Sequence, residues 1–133
     1  MHDTVPGFAR FTFWVHLIVA VVMGLGILVF TDLTAEWFGY GDTGEWLPVM
    51  RSFGALLLGF GGFTSYLGAR ARSWDQVDYI VRAEIVYLAL AVVVWLVNLV
   101  QGVGPALAST INLIICLVLL ILFLLSWFKR PRV

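Results

Sequence analysis

Apolar residues gather into four long runs, separated by short stretches that hold nearly all the charge. The runs cover about Phe11 to Phe30, Val49 to Leu67, Tyr79 to Val100 and Ala106 to Phe128. Each is close to the ~20 residues that an α-helix needs to cross ~30 Å of hydrocarbon at ~1.5 Å per residue. Helices are the spans expected in lipid, because each satisfies its own backbone N–H and C=O groups. The pattern predicts an all-α, integral membrane four-helix bundle, one transmembrane domain over residues 1–133. The first run is longer than the ~7–15 apolar residues of a signal peptide and no A-x-A-like site follows it, so a retained helix is expected.

The polar stretches between the runs carry their own signals. Short connections predict that spans adjacent in sequence pack as antiparallel neighbours. "QGVGP" supplies glycines for the last turn and Pro105 to open the fourth helix. "SWDQ" has the spacing of a capping box, Ser73 with Gln76, and Asp78 and Arg82 follow as i,i+4 partners. The first loop, "TDLTAEWFGYGDTGEWLP", mixes acids, aromatics and glycines, and a short surface helix around Thr34 to Phe38 is expected there.

Charge then orients the spans. Only 12% of the residues are charged, about half of what coats a soluble domain, ~25%. A formal net charge of zero leaves no electrostatic basis for binding nucleic acid. Arg10, Arg70, Arg72, Arg82, Lys129, Arg130 and Arg132 fall on one side of the predicted membrane and Arg51 alone on the other. The excess of positive charge predicts that both termini are cytoplasmic. The acids Asp32, Glu36, Asp42 and Glu45 all fall in the first loop, on the opposite side. Trp14, Trp74 and Trp127 are expected at one interface, Trp37 and Trp46 at the other.

The stretch "MRSFGALLLGFGG" holds an arginine and four glycines within a membrane-length run. On a regular helix Ser52, Ala55, Gly59 and Gly62 recur at spacings of three, four and three, a stripe that predicts close helix packing. Arg51, at the membrane edge, is expected as an interfacial anchor paired with Glu45 of the loop. "RSFGALLLGFGG", the preceding "AEWFGYGD" and the following "YLGARARS" together resemble the small BphX-like, DoxX-related bacterial membrane proteins over about residues 30 to 100. The resemblance implies a four-helix bundle in a prokaryotic cytoplasmic (inner) membrane. Some DoxX relatives are subunits of membrane oxidoreductases; no catalytic residue carries over.

Polar side chains within the spans form two groups by depth. His16, Thr64, Ser65, Tyr66, Glu84 and Tyr87 fall toward the inner face, and Arg51, Asn98, Ser109, Thr110 and Asn112 toward the outer one. Between them the runs are apolar, which disfavours a channel or proton relay in a single copy. No Pro-interrupted midspan marks a transporter. His16, Glu84 and Tyr66 are the candidate cofactor- or ligand-binding cluster, since intramembrane polar groups are functional by default. The lone Cys116 reads as a small buried hydrophobe, His2 as a terminal residue, and no CxxC or His-rich spacing indicates a metal. Without a nucleophile motif no catalysis is expected, and no specific cofactor is implied. The leading expectation is an accessory or structural subunit of a larger respiratory or photosynthetic complex. Its partners would be lipids and other membrane subunits, or further copies of itself. The alternative is a binder of a small lipophilic ligand such as a quinone, pigment or lipid. An oligomeric transporter ranks third.

Overall fold

The computed structural model describes residues 4–131. His2 and Arg132, weighed above, lie outside the described residues. The described chain is all-α, its helices joined by short irregular connections, and four of its helical segments are long and apolar enough to cross a membrane. The first is α1, Gly7–Val29. It starts earlier than the apolar pattern predicts, because Pro6 serves as its N-cap. A short helix α2, Thr31–Trp37, follows at once, three residues ahead of its expected start.

The second span, Gly44–Arg70, is composite. A 3-10 turn, Gly44–Trp46, leads into α3, Leu47–Leu56. A π-helical segment, Leu57–Phe63, then joins α3 to α4, Thr64–Arg70. Glycines at 59, 61 and 62 leave the backbone free to take the wider turn. The Thr64 hydroxyl donates to the carbonyl of Phe60 within that segment.

The last two spans form a hairpin of α5, Asp78–Gln101, and α6, Ala106–Phe128. Gly102, at φ +66°, ends α5. The N–H of Val103 donates to Asn98 O and that of Gly102 to Leu99 O, the two bonds of a Schellman motif. The Ser73–Gln76 capping box forms, but around a separate 3-10 turn, Trp74–Gln76, just ahead of α5.

α1 is the central helix. It packs along the second span on one side and against α6 on another, while α5 packs mainly on α6. The second span and α5 are therefore not packed neighbours, contrary to the rule that short connections make neighbours. The connection, residues 71–77, packs at the end where it joins them, together with the start of α1 and the end of α6. There Val5, Ala9, Phe13, Ala71, Trp74, Val77, Val81 and Phe123 share one core. Trp74, expected at the interface, is buried in it, its ring tilted against that of Trp127 with centroids 6.3 Å apart. Cys116 is half-buried against the same core. Farther along, the second span and α5 diverge and leave clefts between them. Below, the end carrying the described termini and residues 71–77 is the terminal end, and the end carrying residues 30–46 and 102–105 is the loop end.

Candidate functional site

The face of α1 toward the second span is made by Phe13, His16, Ala20 and Gly24. The opposing residues are Gly68, Ser65, Gly61 and Gly54. A Cβ at Gly68 would stand 2.6 Å from the Phe13 ring, and one at Gly61 would stand 3.0 Å from Ala20 Cβ. Small residues on one helix thus receive larger ones from the other, which brings the backbones close.

This is a different stripe from the one expected. Ser52, Ala55 and Gly59 are exposed, and a Cβ at Gly59 would meet nothing within 4 Å. Gly62 alone of the four is buried, near Val21 and Leu17. Both stripes obey helical spacing, so periodicity does not choose between them. The choice follows from the complementary residues of α1: the Phe13 ring needs the space at Gly68, and the His16 imidazole needs the hydroxyl of Ser65.

His16 is 5% exposed. Its Nδ1 lies 2.8 Å from Ser65 Oγ, a hydrogen bond whose donor depends on the imidazole tautomer. Its ring stands edge-on to Phe123 at 5.4 Å. Glu84 Oε1 lies 3.7 Å from the same Nδ1, too far for a hydrogen bond. His16 and Glu84 share a cleft of about 530 Å³ between the second span and α5. Its walls are mostly apolar, from Phe53, Leu56, Leu57, Phe60 and Gly61 on one side and Ile80 and Ala83 on the other. Thr64, Tyr79 and Tyr87 add hydroxyls.

Tyr66, expected in this cluster, is not among the residues that line the cleft. It is exposed, its hydroxyl accepts from Arg70 Nη1 at 2.7 Å, and the Arg70 guanidinium covers its ring. One residue of helix rotation separates it from Ser65, which does face His16. Arg51 and Glu45 also depart from expectation: both are exposed, and the ion pairs among the described residues are His16–Glu84 and Asp78–Arg82. Six residues apart on nearly continuous helical backbone, Arg51 and Glu45 point ~120° away from each other.

The geometry limits the chemistry. Ser65 and Glu84 both approach Nδ1, whereas a Ser–His–acid relay places its hydroxyl and its carboxylate on opposite ring nitrogens. Among the described residues no three His, Cys, Asp or Glu side chains converge as a metal-ligand set. What the cleft offers is a carboxyl group, an imidazole edge and hydroxyls at the wall of an apolar slot.

A second cavity, about 620 Å³, occupies the loop end and shares Phe53 with the first. Sequence reasoning missed it. Its lining comes from the first loop, α1, α2, α3, α5 and α6, and no local pattern signals that these meet. The loop crosses the bundle to reach the α5–α6 turn. A Cβ at Gly39 would stand 3.3 Å from Pro105, and one at Gly104 would stand 3.7 Å from the Tyr40 ring.

Neither a protein-family model, nor a curated protein, nor a solved structure matches the chain.

Proposed function

We propose that this chain is a non-catalytic membrane protein that takes a small lipophilic molecule from the bilayer into the cleft between the second span and α5. The observation that carries the reading is the juxtaposition of His16 and Glu84, 3.7 Å apart, at the wall of a slot whose other surfaces are largely apolar. Ligand sites combine an apolar wall with a few convergent polar groups, which fix the orientation of the occupant. A carbonyl or hydroxyl headgroup, as in a quinone or a lipid alcohol, meets Glu84 and the Tyr87 hydroxyl, and its apolar body lies along Phe53, Leu56 and Phe60.

In this reading the chain resides in a prokaryotic cytoplasmic membrane with both termini inside, and the cleft lies in the inner half. The distribution of basic residues supports that orientation, and the resemblance to DoxX-related proteins supports the compartment.

The test is extraction of protein purified in lipid nanodiscs, followed by mass spectrometry of the organic phase. A stoichiometric lipophile is expected in the wild type and lost in Ala83→Phe. Ala83 is an exposed residue of the cleft wall, so a bulky side chain there fills the slot without entering the core. An extract that holds only bulk lipid, identical in both proteins, rejects the reading.

A second reading, as a subunit of a larger complex or a self-associating chain, has its own observation. Ser52, Ala55 and Gly59 form a small-residue face on the second span that is exposed among the described residues. Such faces let another helix approach closely in lipid. Purification in mild detergent tests it, with a stoichiometric partner or a dimer expected, and Gly59→Leu breaking the association.

A further inference from the structure

The loop-end cavity has a chemistry distinct from the cleft around His16. Five aromatic side chains line it: Phe38 and Tyr40 from the loop, Trp46 from the 3-10 turn, Phe53 from α3 and Trp95 from α5. The acidic side chain in the lining is Asp42, and among the described residues no lysine, arginine or histidine lines the cavity. Arg51, two residues before Phe53, is exposed and lies outside it.

Hydrogen bonds hold the loop side of the lining, while the Trp46 side chain is largely exposed. The N–H of Tyr40 donates to Ala35 O at 2.9 Å and anchors the loop on the end of α2. The Thr43 hydroxyl donates to Asp32 Oδ1 at 2.6 Å, and the N–H of Gly44 donates to Asp42 Oδ1 at 3.0 Å. The second of these fixes the Asp42 carboxylate. Partial burial pushes the Tyr40 phenol above its ordinary pKa.

The two ends of the molecule treat their aromatic rings differently. At the terminal end the ring faces carry the protein's own cations: Arg70 over Tyr66, Arg82 and Arg130 over Trp127, and Lys129 over Phe8. Among the described residues no such contact involves a ring of the loop-end cavity. Among the described residues these rings thus carry no cation of the protein's own, and aromatic cages are suited to quaternary ammonium groups.

We infer that the loop-end cavity binds a lipophilic organic cation, held by the rings of Trp46, Trp95 and Tyr40 and by the Asp42 carboxylate. A small hydrated metal ion does not fit this lining, because hard cations require several oxygen ligands. An organic cation with an apolar body satisfies both halves of the site: the positive centre meets the ring faces and Asp42, and the body meets Met23, Val49 and Phe53. The cavity volume falls within the ~300–1,000 Å³ of small-molecule pockets. Asp32 and Glu36 on α2 and Glu45 on the 3-10 turn, at the same end of the molecule, raise the local concentration of cations there.

Two probes of the same shape and opposite charge test the assignment: tetraphenylphosphonium and tetraphenylborate. Each is titrated calorimetrically into the full chain in zwitterionic nanodiscs, with empty nanodiscs subtracted. The phosphonium is expected to bind saturably at one site per chain and the borate to show no saturable binding. Asp42→Asn and Trp95→Leu are each expected to weaken the phosphonium about tenfold or more, the equivalent of ~1.4 kcal/mol. Asp42 is exposed, so its variant tests the site without entering the core. Absence of saturable phosphonium binding, equal binding of the borate, or unchanged affinity in Asp42→Asn overturns the assignment.

Discussion

Gly54 of α3 lies against the backbone of α1 at Gly24: a Cβ added at Gly54 would stand 2.9 Å from the Gly24 carbonyl oxygen and 2.7 Å from Leu28 N. Both neighbours are backbone atoms, which cannot rotate out of the way. Gly54→Ala is therefore expected to destabilise the bundle by overpacking, by ~1–3 kcal/mol. Gly59→Leu, on the outward face, is expected to change the stability of the isolated chain by no more than about 0.5 kcal/mol. Unfolding in mixed detergent micelles ranks the two; the opposite order would show that the second span is rotated from the position described.

The same contact runs on to the terminal end, where Gly68 receives the ring of Phe13. A Cβ there would stand 2.6 Å from the ring, so Gly68→Ala is destabilising in the wild type. Phe13→Leu gives back part of the space. The double variant is expected to be more stable than the sum of the single losses predicts, with a coupling of ~0.5–3 kcal/mol. Strict additivity would separate the two residues.

His16 and Ser65 satisfy each other within the bundle. Ser65→Ala leaves the imidazole nitrogen without its partner, at a cost of ~1–3 kcal/mol. A double-mutant cycle of His16→Ala with Ser65→Ala is expected to show strong coupling. The cycle of His16→Ala with Glu84→Gln is expected to show weaker coupling, because that contact is 3.7 Å. If the glutamate cycle gave the larger value, the hydrogen-bond assignment at Nδ1 would be reversed.

Orientation is open to direct labelling. With both termini cytoplasmic, a cysteine placed at Asp42 is expected to react with a membrane-impermeant maleimide in intact cells, and one at Ser73 only after permeabilisation. Both positions are at least partly exposed. The reverse pattern would place the cleft around His16 in the outer half and the aromatic cavity in the inner half.

The number and position of the spans follow from hydropathy alone, because lipid forces every backbone polar group into a helix and the apolar length sets the span. The Gly102 stop, the Ser73–Gln76 box and the Asp78–Arg82 pair were legible for a related reason: each is an interaction within a few residues. Facing is another matter. Two small-residue stripes with equal claims ran along the second span, and only the matching bumps of Phe13 and His16 on α1 selected the one through Gly54, Gly61, Ser65 and Gly68. One residue of rotation put Ser65 beside His16 and sent Tyr66 outward to Arg70. The clefts were not legible either. They exist because α5 packs on α6 and leaves the second span to α1, a choice of partner that local periodicity does not encode. Nor does any local pattern record that the first loop folds over to the α5–α6 turn. The sequence by itself determined the helices and the solvent they need; which faces meet, and the hollows left where they do not, were decided by side-chain complementarity between distant segments.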